Sequence, residues 1–162
     1  MLTRYGSMMV FLLLAVLAAA AGTTFEAGEW YYQKLTKPAW NAPAWLTALG
    51  WAVAYAFAAL AAWNAWLSEG YDRLKAAAWW LALLAINVVW SFLYFGMHRP
   101  GWAWMALGLA IVVSIICVLK FWKLSPQAGG LMLPYLLWIS YLWMLNLATW
   151  TLNGGLFSRV LL

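Results

Sequence analysis

The sequence predicts an all-α membrane protein, a bundle of five transmembrane helices. Three observations predict it. Of 162 residues, 68% are hydrophobic and only 8% charged, with a mean hydropathy of +0.83, whereas a soluble domain is roughly a quarter charged. The charges are also segregated: no Asp, Glu, Lys or Arg occurs between Arg4 and Glu26, Lys37 and Glu69, Lys75 and Arg99, Arg99 and Lys120, or Lys123 and Arg159. Each gap reaches the ~20 apolar residues that cross about 30 Å of hydrocarbon at roughly 1.5 Å per residue, the fourth only just. Finally, nothing alternates with period two over the roughly ten-residue segments of a membrane barrel.

The first span lies near 5–24. Arg4, an apolar run and Ala19-x-Ala21 also describe a secretory signal peptide. About 20 uncharged residues exceed the usual apolar stretch of such a peptide, so the helix is expected to be kept. A loop near 26–43 follows, containing WYYQKLTKPAWNAP, in which lysines mix with aromatics and prolines. That mixture suits a membrane surface, where lysines reach water and indoles lie in the boundary. The second span, near 44–67, repeats small residues every fourth position at Gly50, Ala54, Ala58 and Ala62. The fourth, near 101–120, does so at Ala106, Ala110 and Ser114. Such stripes let helix backbones approach closely. The third span lies near 75–97 and the fifth near 131–152. Pro38, Pro43, Pro100, Pro126 and Pro134 are read at loops or helix starts.

No internal repeat, low-complexity tract or dividing linker interrupts residues 1–162, which read as one domain. The formal charge of +5 suits a surface of anionic lipid, and no basic run suits nucleic acid. Arg4, Arg73, Lys75, Lys120 and Lys123 fall on one side, and Lys34, Lys37, Arg99 and Arg159 on the other, which leaves orientation open. The expected location is a bacterial membrane, crossed several times.

Depth sorts the tryptophans. Trp30, Trp40, Trp45, Trp102, Trp104 and Trp150 fall near one set of helix ends, and Trp63, Trp66, Trp79, Trp80 and Trp122 near the other, as interfacial belts do. Trp51, Trp90, Trp138 and Trp143 are left inside the hydrocarbon zone. Asn87 lies three residues before Trp90 and Tyr55 one turn after Trp51, each pair sharing a face. Asn146 and Asn153 are seven apart on one stripe. Polar side chains at this depth either bond helix to helix or line a ligand pocket, and residue types alone leave both open.

Conventional catalytic groupings are absent. His98 and Cys117 are the only residues of their types, and Glu26, Glu29, Glu69 and Asp72 all lie in loops. One His and one Cys make no metal cluster, and no glycine loop cradles phosphate.

At this point the motifs carry a resemblance. EWYYQKLTKPAWNAP, with Trp51 and Tyr55 after it, resembles the loop and second helix of the tryptophan-rich sensory protein/translocator protein (TspO/MBR) family. The matching loop positions are Trp30, Tyr31, Leu35, Lys37, Pro38, Trp40, Asn41 and Pro43. NVVWSFLYFG resembles the family's third helix through Asn87, Trp90, Phe95 and Gly96. PYLLWISYLWMLNLATWTLN resembles its fifth through Pro134, Tyr135, Trp138, Asn146 and Asn153. Departures are Ala42, Thr47-Ala48 and Phe92 at positions where prolines are frequent, and Tyr141 and Trp143, bulky where small residues are usual. The latter two bear on pocket volume. The cholesterol-recognition pattern of some members is missing beside Tyr141, and Leu67-Tyr71-Arg73 matches it only by chance.

The resemblance implies a five-helix bundle, commonly a homodimer, with a pocket opening toward the 26–43 loop, which would act as a lid. It implies binding of porphyrins such as protoporphyrin IX, and of sterols or drug-like apolar molecules in some members. It requires no cofactor, the porphyrin being the ligand. Ligand contacts are expected from Trp51, Tyr55, Asn87, Trp90, Tyr135, Trp138 and Asn146. Lys34, Lys37 or Arg99 would meet propionates at the surface. Some members are credited with light-dependent porphyrin breakdown, for which Trp51 and Trp138 would be the reactive indoles. The remaining alternative is a structural membrane partner without a ligand.

Overall fold

The computed structural model describes residues 4–25, 27–69 and 72–155. Glu26, Tyr71 of the chance sterol pattern, and Arg159 lie outside them. Five long helices run in order: α1 (Arg4–Thr23), α2 (Ala44–Trp66), α3 (Asp72–Ser91, prolonged by a π turn Phe92–Gly96), α4 (Pro100–Leu124) and α5 (Pro126–Leu152). No strand occurs among the described residues. All five are long and apolar enough to cross a membrane, with mean hydropathies of 1.5 to 2.5 over their most apolar windows. The protein is a multi-pass integral membrane protein.

Prolines set three of the helix starts. Pro43 precedes α2, and Pro100 and Pro126 open α4 and α5, where a missing N–H costs nothing. Ser125 caps α5 by accepting a hydrogen bond from the Ala128 N–H at 3.4 Å. The fifth helix therefore begins five residues before the predicted 131, and Pro134 lies inside it rather than at its start. The ladder bond that Pro134 lacks would have gone to Gly130, one turn earlier. α4 likewise continues past Lys120 to Leu124, because a lysine stem can lie along the helix while its amine reaches the interface.

Small residues hold the bundle together. Ala54, Ala58 and Ala62 of α2 and Ala110 and Ser114 of α4 are all buried. Gly50 is required by a close approach: a Cβ there would stand 2.3 Å from the Trp138 ring. Gly129 serves the same purpose against Trp122. Trp80 corrects the belt assignment, being wholly buried against Phe11 at a ring distance of 5.2 Å. Its position on the inward stripe Ala76–Trp80–Leu83–Asn87–Trp90 outweighs its closeness to a helix end. Trp45, Trp102 and Trp122 are exposed, as belt residues should be.

α1 is a peripheral helix. Ser7, Phe11 and Ala15 are its buried residues, the first two toward the Arg4 end. There Trp63 Nε1 donates to Arg4 O and Ser7 Oγ, both at 3.3 Å, and Phe11 packs on Trp66 and Trp80. At the other end Ser91 Oγ donates to Gly22 O at 2.6 Å, tying α1 to α3 and not to α2.

Candidate functional site

A cavity of about 850 Å³ lies between α1, α2 and α3, beneath the loop that leads into α2. α2 supplies Thr47, Trp51 and Tyr55, one turn apart on a single face. α3 supplies Asn87, Trp90 and Ser91, and the π turn adds Phe95. Tyr31, Lys37, Asn41 and Pro43 of the loop close the top. The wall is an aromatic array. Trp51 stacks on Tyr55 at 5.3 Å, tilts against Trp90 at 5.6 Å and meets Trp138 edge-on at 6.3 Å.

Of the residues expected to contact a ligand, Trp51, Tyr55, Asn87 and Trp90 line this space. Tyr135, Trp138 and Asn146 do not; they stand behind the wall and fix it. Asn87 Nδ2 donates to Leu83 O at 2.9 Å and to the Tyr135 hydroxyl, joining α3 to α5. Trp90 Nε1 donates to Asn146 Oδ1 at 3.4 Å, while Asn146 Nδ2 donates to Pro100 O at 3.0 Å, adding α4. Trp138 packs between Gly50 and the edge of Trp51. The buried asparagines thus bond helix to helix, and Asn87 also faces the cavity.

The loop is fastened to α5. The Thr36 N–H donates to Asn153 Oδ1 at 2.9 Å, and Asn153 Nδ2 donates to Thr36 O and Thr149 O, both at 2.7 Å. The Ala42 N–H donates to the Tyr141 hydroxyl at 3.1 Å, and that hydroxyl donates to Trp40 O at 3.4 Å. Residues Trp30–Lys34 form a π turn. Trp30 stacks on His98 at 4.4 Å and meets Tyr94 edge-on, and Tyr31 packs on Phe95. Lys37 Nζ bonds Leu35 O at 3.3 Å and sits 4.6 Å over the Tyr31 ring, at the cavity mouth. Lys34, Trp40 and Pro38 do not line the cavity, and Lys34 and Trp40 are exposed.

Two bulky residues are thereby placed. Tyr141 is a fastening for the loop, and Trp143 stacks on Trp104 at 5.1 Å, so neither lines the cavity. Arg99 lies apart, with His98 and Asn153 on a separate cleft of about 630 Å³. Sequence reasoning missed the α1 wall, Leu12, Ala15, Val16 and Ala19, because a run of small aliphatic residues carries no site signal. It also missed Ser91 and the alanines 44, 48, 52 and 56. Their four-residue spacing beside Trp51 and Tyr55 was the available clue.

These features define a class: a five-span membrane protein built around a roofed, aromatic-walled cavity. Residues 8–151 match the TspO/MBR family. The chain is 34% identical over 150 residues to the tryptophan-rich sensory protein of Cereibacter sphaeroides, covering 90% of both chains. It is 31% identical over 149 residues to protein CrtK of Rhodobacter capsulatus, covering 90% of this chain and 92% of that one. It is 30% identical over 152 residues to the translocator protein of Homo sapiens, covering 91% and 90%. The chain belongs to the TspO/MBR family, and membership implies small apolar ligands.

Proposed function

We propose that this protein binds a tetrapyrrole of the protoporphyrin kind and acts in porphyrin sensing, regulation or transport in a bacterial membrane. The carrying observation is the chemistry of the cavity: the aromatic rings of Trp51, Tyr55 and Trp90 along its wall, and one cation, Lys37, at its mouth. A porphyrin is a flat aromatic plate with two carboxylates at one edge. Its plate would lie among the indoles and its acidic edge would face Lys37, where charge pairing stays near water. Sterols or drug-like apolar molecules are further candidates for the same space. A homodimer is the proposed assembly, to be checked by chemical cross-linking in the membrane.

Titrating protoporphyrin into purified protein tests the reading. Tryptophan quenching should saturate at micromolar ligand, and unchanged fluorescence would leave only the structural alternative. Lys37→Gln should weaken protoporphyrin about threefold, the worth of a partly exposed ion pair, and leave its dimethyl ester unaffected.

Light-dependent breakdown is a second reading, favoured by Trp51 on the wall with Trp138 in contact behind it. An indole in van der Waals reach can donate an electron to an excited porphyrin. Illumination of the complex should then bleach the porphyrin bands, and bleaching that survives both Trp51→Phe and Trp138→Phe would remove these indoles from the chemistry.

A further inference from the structure

The geometry points to a lateral entrance: we infer that ligands reach the cavity from the bilayer, between α1 and α2, and not from water through the roof. The inference rests on the proposed function only in taking the ligand to be membrane-soluble.

Three features of the packing carry it. First, α2 presents two parallel stripes to the cavity. Thr47, Trp51 and Tyr55 form the inner wall, and Ala44, Ala48 and Ala52, all exposed, form an outer lip. Across from the lip, Val16 of α1 lines the same cavity while 62% exposed. Residues that border a cavity and the exterior together mark an opening; Thr23, Tyr32 and Pro43 do so at the loop end, and Val16 with the alanine lip continues it down the seam between α1 and α2. Second, that seam lies at hydrocarbon depth. Ala52 is eight residues into α2, about 12 Å below its first turn. Val16 lies within a helix that carries no charge beyond Arg4. The lip is made of methyl groups, so an apolar guest crosses it without stripping water from any polar side chain. Third, α1 meets α2 through Trp63 and Trp66 at the Arg4 end, and its far end is held by Ser91 of α3. Among the described residues no side-chain hydrogen bond or ring contact joins α1 to α2 at the level of Val16 and Ala52, where only small and aliphatic groups meet. The roof, by contrast, is fastened through Asn153 and Tyr141 and buttressed by the Trp30–His98 stack.

Reversible thiol bridges test the route, since Cys117 is the only native cysteine and is buried. In lipid nanodiscs, Val16→Cys and Ala52→Cys are joined by a short disulfide-containing reagent. Protoporphyrin supplied in vesicles should then load at least about tenfold more slowly, and protein loaded before bridging should hold its porphyrin until reductant is added. Joining Thr36→Cys to Asn153→Cys, which locks the roof, should leave loading within about twofold of the unbridged protein. The reverse pattern, with a locked roof blocking and a bridged seam loading freely, overturns the inference. A second arm needs no porphyrin. A nitroxide on Ala56→Cys should be relaxed more by oxygen dissolved in lipid than by a water-soluble nickel chelate, and dominance of the chelate overturns the entrance. If protoporphyrin fails to bind the unbridged protein, the proposed function falls and the nitroxide still decides the route.

Discussion

Gly50 shows what a single hydrogen in place of a side chain does here. The Trp138 ring fills the space of the missing methyl, and Trp138 in turn sets the edge against which Trp51 rests. Gly50→Ala should cost about 1–3 kcal/mol through overpacking. The penalty should shrink when Trp138→Phe is combined with it, which thermal unfolding of the double-mutant cycle would measure. Tyr31 makes a different prediction. Burial raises its phenol above the ordinary 10.0, and the Asn41 hydrogen bond offsets part of the rise. A raised value favours the neutral phenol in the folded state, so its contribution is complete below pH 10.0 and is lost only as pH climbs through the raised value. The tyrosinate absorbance of wild type minus Tyr31→Phe should therefore appear above about pH 10, and the roof should hold unchanged across the neutral range. At this scale the sequence was most readable where a residue clashed with its surroundings. Asn87 is a polar group at mid-membrane and Trp51 an indole far from any interface, and both line the cavity. Trp138 looked equivalent to Trp51 and is not, because depth along a helix says nothing about which neighbour stands in front.

Between Asn153 and the loop, two hydrogen bonds decide how firmly a single element is closed. Asn153→Ala should release the Thr36 amide, with a loss of about 1 kcal/mol and a rise of about fivefold in its hydrogen exchange, while exchange in the middle of α5 stays put. Tyr141→Phe should do the same at Ala42 to a smaller degree, since one N–H loses its acceptor. Helix starts were legible from prolines at 43, 100 and 126, and helix ends less so. Charge gaps mark where a chain can sit in lipid, whereas a helix extends until its hydrogen bonds or caps run out. The five extra residues at the start of α5, and the two π turns that flank the roof, lie beyond what charge spacing reports.

For the whole molecule, the five spans followed from the hydrocarbon thickness and five uncharged runs. Which helices enclose the cavity did not. The tightest packing joins α5 to α4, followed equally by α2 on α5 and α3 on α4, and the space for a guest opens on the flank where α1 leans on α2 and α3. Deleting residues 4–23 should therefore leave α2–α5 able to unfold as one cooperative unit in detergent, followed by circular dichroism. The same deletion should weaken protoporphyrin by more than about tenfold, because one wall of an otherwise complete site has gone.

The roof and the walls belong to different helices. α5 grips the covering segment yet none of its side chains borders the hollow, and α1, α2 and α3 border the hollow without carrying those latches. Evolution can accordingly recut the interior for a new guest, one alanine or valine at a time, while closure is inherited intact.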